Sequence, residues 1–481
     1  MQSRNPKDFW KMINNLNKQN DDTKADINID MFYDYSKNLN DYTDVENDDE
    51  YNINSENSTL DKEISKEEIL YSVKCLKNNK AAGTDMVINE YIKSTIEIFI
   101  PIYYIFFNLI LNSGIVPASW TIGSIVPIYK KKGDCGLPEN YRPITILSCL
   151  GKLFTSIINN RLNNFVDEHN LLNETQAGFR KDYAVTDHLF SLCAIMSYLR
   201  SQKKKLFCTF IDFSKAFDQV WRIGLWYKVL NSGITGKCFN VIYNMYQDIK
   251  SSVKYKNKIS ATFPCKIGVR QGENLSPLLF ALYLNDLEAF LLNHDCKGVQ
   301  TEYYENELLN YLKIFELLYA DDTVLFADNV NNMNIMLNAF GEYCTLWKLN
   351  VNIDKTKVVI FGSRGQSNAT FSLLNRDLEI CDSYNYLGVV FSKGCSFAQA
   401  QPRIKNQASK ALHLLYSRIH NLNLPIDCQL KLFDHTILPI LLNGCEIWGF
   451  GDLSPIETIH NQFLSNILKV KKKYPSVHVI W

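Results

Sequence analysis

In the stretch LLYADDTVLFAD (317–328), two aspartates stand side by side between two short apolar runs. Runs of this length, rich in Leu, Val and Phe, read as strands, and the break between them reads as a β-hairpin turn. Both carboxylates are ionised at neutral pH. Two adjacent charges inside a buried strand pair are costly unless a cation lies beside them. Asp321 and Asp322 therefore form either an ordinary solvated turn, where Asp is common, or half of a cation site. Alone, the stretch fits the turn at least as well.

A second carboxylate changes the balance. KLFCTFIDFSKAFDQV (205–220) reads as an apolar strand ending at Asp212, then a turn into a helix. If this strand neighbours the hairpin in one sheet, Asp212 and Asp321 converge at one edge. Such an oxygen-only site suits hard divalent cations, and Mg²⁺ in particular takes a few carboxylates plus phosphate oxygens. Two ions about 3.5–4 Å apart can clamp the attacking and leaving oxygens of a phosphoryl transfer.

The rest of the chain supplies strands interleaved with long helices, the pattern of a mixed α/β core with helical additions. Residues 1–20 read as a helix with Phe9, Trp10, Ile13 and Leu16 on one face, and 20–62 as an Asn/Asp-rich loop, partly disordered. SKEE (65–68) is a capping box opening a helix with Ile69, Val73 and Leu76 at helical spacing. The apolar stretch IEIFIPIYYIFFNLIL (96–111) carries Glu97, Pro101 and Asn108, and reads as a buried helix pair rather than a membrane span. From about residue 398 the chain reads as mostly helical.

Charge is unevenly spread along the 481 residues. Up to residue 63 there are 7 Lys/Arg and 15 Asp/Glu, which leaves 44 and 36 in the remainder. A mildly basic body behind an acidic leader allows a nucleic-acid partner without demanding one. The 13 cysteines include no C-x-x-C pair, and the N-terminus has no apolar signal region. These features point to reduced thiols in nucleus or cytoplasm, with no Cys-based zinc site, no signal peptide and no transmembrane segment.

Taken in order, FIDFSKAFDQVW (210–221), GVRQGENLSPLLFALYLNDL (268–287) and LLYADDTVLFAD (317–328) resemble the three central palm motifs of reverse transcriptases, most closely those of non-LTR (LINE-like) retrotransposons. IVPIYKKKGD (125–134) with NYRPITILSCLGKLF (140–154), and NETQAGFRKDYAVTDHLF (173–190), are similar to the finger motifs of that class. LNVNIDKTKVVIFG (349–362) and YNYLGVV (384–390) are similar to the two motifs after the Asp-Asp hairpin. NNKAAGTDMVINEYIK (78–93) matches an upstream element less closely, with Ala82, Thr84 and Met86 where the family has Pro, Pro and Gly.

The resemblance implies an α/β fold with an α+β palm in a right-hand polymerase architecture. It implies an acidic linker (1–62), an N-terminal extension with fingers (63–205), a palm (206–395) and a helical thumb-like region (396–481), the reverse transcriptase domain covering about 110–392. Asp212, Asp321 and Asp322 would be the catalytic carboxylates and hold two Mg²⁺ ions, replaceable by Mn²⁺, with the Phe213 carbonyl as a further ligand. Phe217 stands at the steric-gate position, and Asp218 reads as structural. Gln271 and Gly272 would pack on the incoming nucleotide, and Arg142 would grip its triphosphate. The run Lys130–Lys131–Lys132, centred on Lys131, lies where a second triphosphate contact is expected. Lys355 would protonate the leaving pyrophosphate. Arg180, Arg403, Lys405 and Lys410 are candidates for nucleic-acid phosphates.

The implied function is RNA-directed DNA polymerisation: addition of dNTPs to a DNA primer on an RNA template, with no membrane partner and with element RNA as a ribonucleoprotein partner. KDFWKMINNL and DMFYDYSKNLND are similar to the linker that follows an endonuclease in these elements. The expectation is thus a fragment of an element protein without its endonuclease. Two other readings stay open: an inactive nucleic-acid-binding remnant of such an element, and an RNA-dependent RNA polymerase, against which Phe217 and the RQG loop argue.

Overall fold

The computed structural model describes residues 28–40, 57–131, 133–305, 308–363, 368–397, 399–419, 422, 424–449 and 453–469, and backbone alone for 301–312 and 455. The helix expected at 1–20 and Lys132 lie outside these residues. Helices and mixed sheets alternate along the chain, as the α/β reading requires.

The central sheet is built from β3 (Leu206–Asp212), β9 (Glu316–Tyr319), β10 (Asp322–Ala327), β11 (Lys357–Phe361) and β14 (Glu379–Ile380), in the order β14–β11–β3–β10–β9. Strand side chains alternate between faces. On one face Phe207, Ile211, Leu325, Val358 and Ile360 join the larger core; on the other, Cys208, Phe210, Val324, Phe326 and Val359 join a second one. A sheet covered on both faces needs near-continuous apolar strands, which explains why KLFCTFID is apolar up to its last residue. Asp212 is where β3 emerges.

A second sheet combines β1 (Ile122–Tyr129), β2 (Tyr141–Ile146), β4 (Lys250–Tyr255), β5 (Lys258–Ile259) and β6 (Phe263–Pro264), with β1 antiparallel to β2 and parallel to β4. Three hairpins complete the strands: β7 (Val299–Glu305) with β8 (Leu308–Ile314), β12 (Ser372–Leu373) with β13 (Arg376–Asp377), and β15 (Ser383–Tyr386) with β16 (Val389–Ser392). The hairpin of β7 and β8, and strand β2 inside what reads as a turn, are additions that the sequence patterns did not signal.

Two expectations are corrected. Helix α1 (Ile29–Asn40) forms inside the stretch read as loop, because Phe32 is buried against Tyr141 and Tyr255, with ring centroids 4.9 and 4.8 Å away. The apolar stretch at 96–111 is one continuous helix, not a buried pair. It lies within Asn89–Ser113, includes Pro101, and buries Phe107, Ile110 and Leu111 while leaving Ile98, Ile102, Ile105 and Leu109 exposed. Among the described residues it is long and apolar enough to cross a membrane by length and composition alone.

The capping box forms as expected at the start of helix Lys66–Cys75. Glu68 N–H donates to Ser65 Oγ (3.2 Å), and Ser65 N–H donates to Glu68 Oε2 (2.8 Å). Arg161, from helix Cys149–Glu168, grips the same carboxylate with Nε and Nη2 (2.6 and 2.8 Å) and donates to the carbonyls of Leu60, Lys62 and Glu63. Burial alone would raise the Glu68 pKa; the hydrogen bonds and charge of Arg161, together with the Ser65 amide, outweigh it and hold it below the usual range. Its folded pKa being depressed, its stabilisation is complete above the unfolded value near 4.3 and is lost as pH falls through the folded value. Glu68→Gln should therefore lower stability by about 1–2 kcal/mol at pH 7, and melting curves of variant and wild type should converge as pH falls below the depressed folded value.

Candidate active site

The antiparallel register of β3 and β10 sets Asp212 directly opposite Asp322. Because directly opposed residues share a face, both carboxylates lie at the same end and on the same side of the sheet. β10 pairs with β9 through Asp322 and Tyr319, so Ala320 and Asp321 form the turn, with Ala320 at φ +58°. Asp212 and Asp321 stand at one end of the sheet, as the sequence reading expects, with Asp322 the cross-strand partner of Asp212.

Three carboxylates share this apex, and the charges oppose one another. Partial burial, then the Asp321 and Asp212 charges, push the Asp322 carboxyl up to about 6; burial raises Asp321 too, and the Asp212 charge adds to it. Among the described residues, no three His, Cys, Asp or Glu side chains already form a metal cage. The donor set is nonetheless what a hard cation takes, all oxygen and mutually repelling without a counter-charge. Lys355 supplies part of that charge, with Nζ 3.5 Å from Asp212 Oδ2.

The apex is braced from two sides. The segment after β3 pairs with residues 350–352: Ser214 N–H donates to the Asn350 carbonyl (2.8 Å) and Asn352 N–H to the Asp212 carbonyl (2.7 Å), while Phe213 bridges Val351. Those two bonds do not use the Phe213 carbonyl. Asp212 N–H donates to Thr356 Oγ1 (3.2 Å). On the hairpin side, residues 175–178 lie along β9. Ala177 N–H donates to Leu318 O (3.0 Å), and Leu318 N–H to Thr175 O (2.9 Å). Gly178 approaches so closely that a Cβ there would meet the Ala320 nitrogen at 2.2 Å. This bracing role was not read from AGFRK.

Lys355, which touches Asp212, belongs to a cluster of cations. The charges of three members reach Lys130: its pKa is lowered by partial burial, then by Lys355, Arg142 and Lys215, while Asp218 opposes. Of the lysine run, Lys130 is thus the residue coupled to the site, and Lys131 stands exposed at φ +55°. Lys215 went unnoticed in the sequence because nothing in FSKAF sets its lysine apart from a solvated one.

Phe217 stacks on Phe280 (4.8 Å between centroids) and meets Phe179 edge-on. Beside it, Gln271 Nε2 donates to both oxygens of Asp218 (3.0 and 2.9 Å). Burial pushes the Asp218 carboxyl up to about 7, opposed by Gln271, Lys215 and Lys130. Gly272 sits at φ +117° with a Cβ position 2.7 Å from the Thr145 carbonyl oxygen, so glycine is required there by β2 itself. Arg222 fixes the preceding stretch by donating to the carbonyls of Gly268, Tyr246, Cys265 and Ile267. Tyr384 stacks on Phe210 at 4.3 Å, and its hydroxyl pKa rises to about 12 through burial and then the charges of Asp212 and Asp322.

Two groups of candidates lie elsewhere. Arg180 turns inward: its guanidinium donates to the carbonyls of Asn173 and Gln176 (3.0 and 3.2 Å) and stacks over Tyr183 (4.2 Å), holding its own loop together. Arg403, Lys405 and Lys410 belong to helix Ala400–Ile419, whose buried seam is Ile404, Ala408, Leu412 and Leu415. Arg403 and Lys410 are exposed and Lys405 is half-buried.

A family model described as reverse transcriptase (RNA-dependent DNA polymerase) matches residues 129–391. Among curated proteins, the chain is similar to the probable RNA-directed DNA polymerase from transposon BS of Drosophila melanogaster, 29% identical over 84% of this chain and 44% of that protein. It is also similar to the RNA-directed DNA polymerase from mobile element jockey of the same species, 25% identical over 82% of this chain and 42% of that protein. The chain therefore spans less than half the length of these relatives. Among solved structures, telomerase from Candida albicans with a fragment of telomeric RNA aligns over 75% of this chain and 64% of that chain, at 13% identity and a TM-score of 0.42.

The contact at Gly178 makes a direct demand. Gly178→Ala forces the hairpin turn or its brace to shift and should destabilise the protein by about 1–3 kcal/mol, with Gly178→Val worse. Thermal melting reads this, and an unchanged melting temperature in both variants would show that the two backbones are not in contact.

Proposed function

The chain belongs to the reverse transcriptase (RNA-dependent DNA polymerase) family, and we propose that it serves a non-LTR (LINE-like) retrotransposon by adding deoxynucleotides to a primer 3′-OH on an RNA template. The observation that carries this reading is the register of β3 and β10, which sets Asp212 opposite Asp322 beside Asp321, with Lys355 in contact with Asp212. The carboxylates would take the metal and the neighbouring cations the polyphosphate, as a phosphoryl transfer needs. Residues 63–205 serve as N-terminal extension and fingers, 206–395 as palm, and 396–481 as thumb.

Asp212, Asp321 and Asp322 would hold two Mg²⁺ ions, or Mn²⁺, with the Phe213 carbonyl available as a further ligand. Bound there, the ions would neutralise the carboxylates and the charge that develops on the phosphoryl oxygens. Lys130 and Arg142 bind the triphosphate, Arg142 through its forked donors. Lys355, already in contact with Asp212, gives its proton to the leaving pyrophosphate. Phe217 is held by Phe280, so a ribose 2′-OH meets a ring that has little room to move. Gln271, held by Asp218, and Gly272 shape the floor under the incoming base. Arg403 and Lys410 track the duplex phosphates, with Lys405 lower on the same helix.

Primer extension on an RNA template tests this in one experiment. The chain should extend a DNA primer with dNTPs and Mg²⁺ and discriminate against rNTPs, and Phe217→Ala should raise rNTP incorporation on the order of tenfold or more. Efficient rNTP use with no dNTP use would identify an RNA-dependent RNA polymerase instead. No synthesis, with template still bound, would identify a nucleic-acid-binding remnant.

A further inference from the structure

Helix α1 lies in the segment that reads as linker, yet it is tied to the catalytic unit at three places. Phe32 packs on Tyr141 of β2 and Tyr255 of β4, Tyr33 meets Phe263 edge-on (5.6 Å), and the Asn40 carbonyl accepts from Lys266 N–H (3.3 Å). Between these anchors Tyr35 faces the Lys215 ammonium, 4.4 Å from its ring centroid.

Lys215 stands three residues beyond Asp212, in a tight turn at φ +52°, where its carbonyl accepts from Asp218 N–H and Gln219 N–H (2.9 and 3.2 Å). Positive φ is uncommon for a residue with a side chain. From this turn the Lys215 charge is felt at both Lys130 and Asp218. Lysine is a flexible point charge on a long stem. A carboxylate partner would fix it but would also cancel its charge. An aromatic ring attracts the ammonium while leaving its charge and its N–H donors available.

We propose that α1 is a working part of the nucleotide site, with Tyr35 as a positioning residue that holds Lys215 against the polyphosphate of the incoming nucleotide. This rests on the polymerase reading. Tyr35 acts through Lys215 alone, so its removal weakens nucleotide binding and leaves the chemical step in place.

Steady-state incorporation of a single dNTP at varied concentration tests this, with melting curves alongside. Tyr35→Phe, which keeps the ring, should behave as wild type. Tyr35→Leu should raise KM for dNTP about three- to tenfold with kcat nearly unchanged. Lys215→Met should raise KM at least as far, and adding Tyr35→Leu to Lys215→Met should raise it no further. An unchanged KM in Tyr35→Leu, or an equal further rise in the Lys215→Met background, overturns the inference, since the ring then acts on nothing or through the fold. A wild-type chain that incorporates no nucleotide overturns the polymerase reading and this inference together.

Discussion

The antiparallel pairing of Leu206–Asp212 with Asp322–Ala327 is the contact on which the site depends. Slipping that pairing by one residue would turn every side chain of one strand to the other face. Two separate cores fix it, because each takes alternate residues from the same strands. The register that satisfies both cores brings Asp212 and Asp322 face to face. Charge repulsion at the apex is thus a by-product of apolar packing along the length of the sheet, and the packing is strong enough to impose it.

What surrounds the apex deals with that repulsion in layers. Lys355 reaches Asp212 directly. Main-chain bonds from residues 350–352 and 175–178 hold the two aspartate-bearing segments from either side. The loop at 268–272 is held by Arg222, which donates to the Gly268 carbonyl and to the preceding carbonyls of Cys265 and Ile267, and by Gln271, which donates to Asp218. The acidic apex and this loop are each held by several hydrogen bonds, which suits chemistry that works by positioning.

Legibility followed the range of the interactions. The capping box of Ser65 and Glu68, the Asp-Asp hairpin and the strand ending at Asp212 are short-range patterns, and each could be read directly. The cross-strand pairing of Asp212 with Asp322 depends on turn geometry at Ala320, which composition does not encode. Helix α1 was hidden because an acidic, Asn-rich stretch looks unstructured until Phe32 finds Tyr141 and Tyr255, more than a hundred residues away. The reach of the Lys215 and Lys355 charges to Lys130 and the meeting of Tyr35 with Lys215 are likewise long-range, whereas the inward turn of Arg180 is local and leaves no mark in composition. The apolar helix at 89–113 misled for the opposite reason: its composition reads as core, yet one face is left exposed.

The central claim is that these three carboxylates form one catalytic centre. Single-nucleotide incorporation on a primed RNA template, comparing wild type with Asp321→Asn/Asp322→Asn, tests it most directly, because asparagine keeps the shape and removes the charge. The expected result is a folded variant whose incorporation falls on the order of a thousandfold. Equal incorporation by the two proteins would contradict the account.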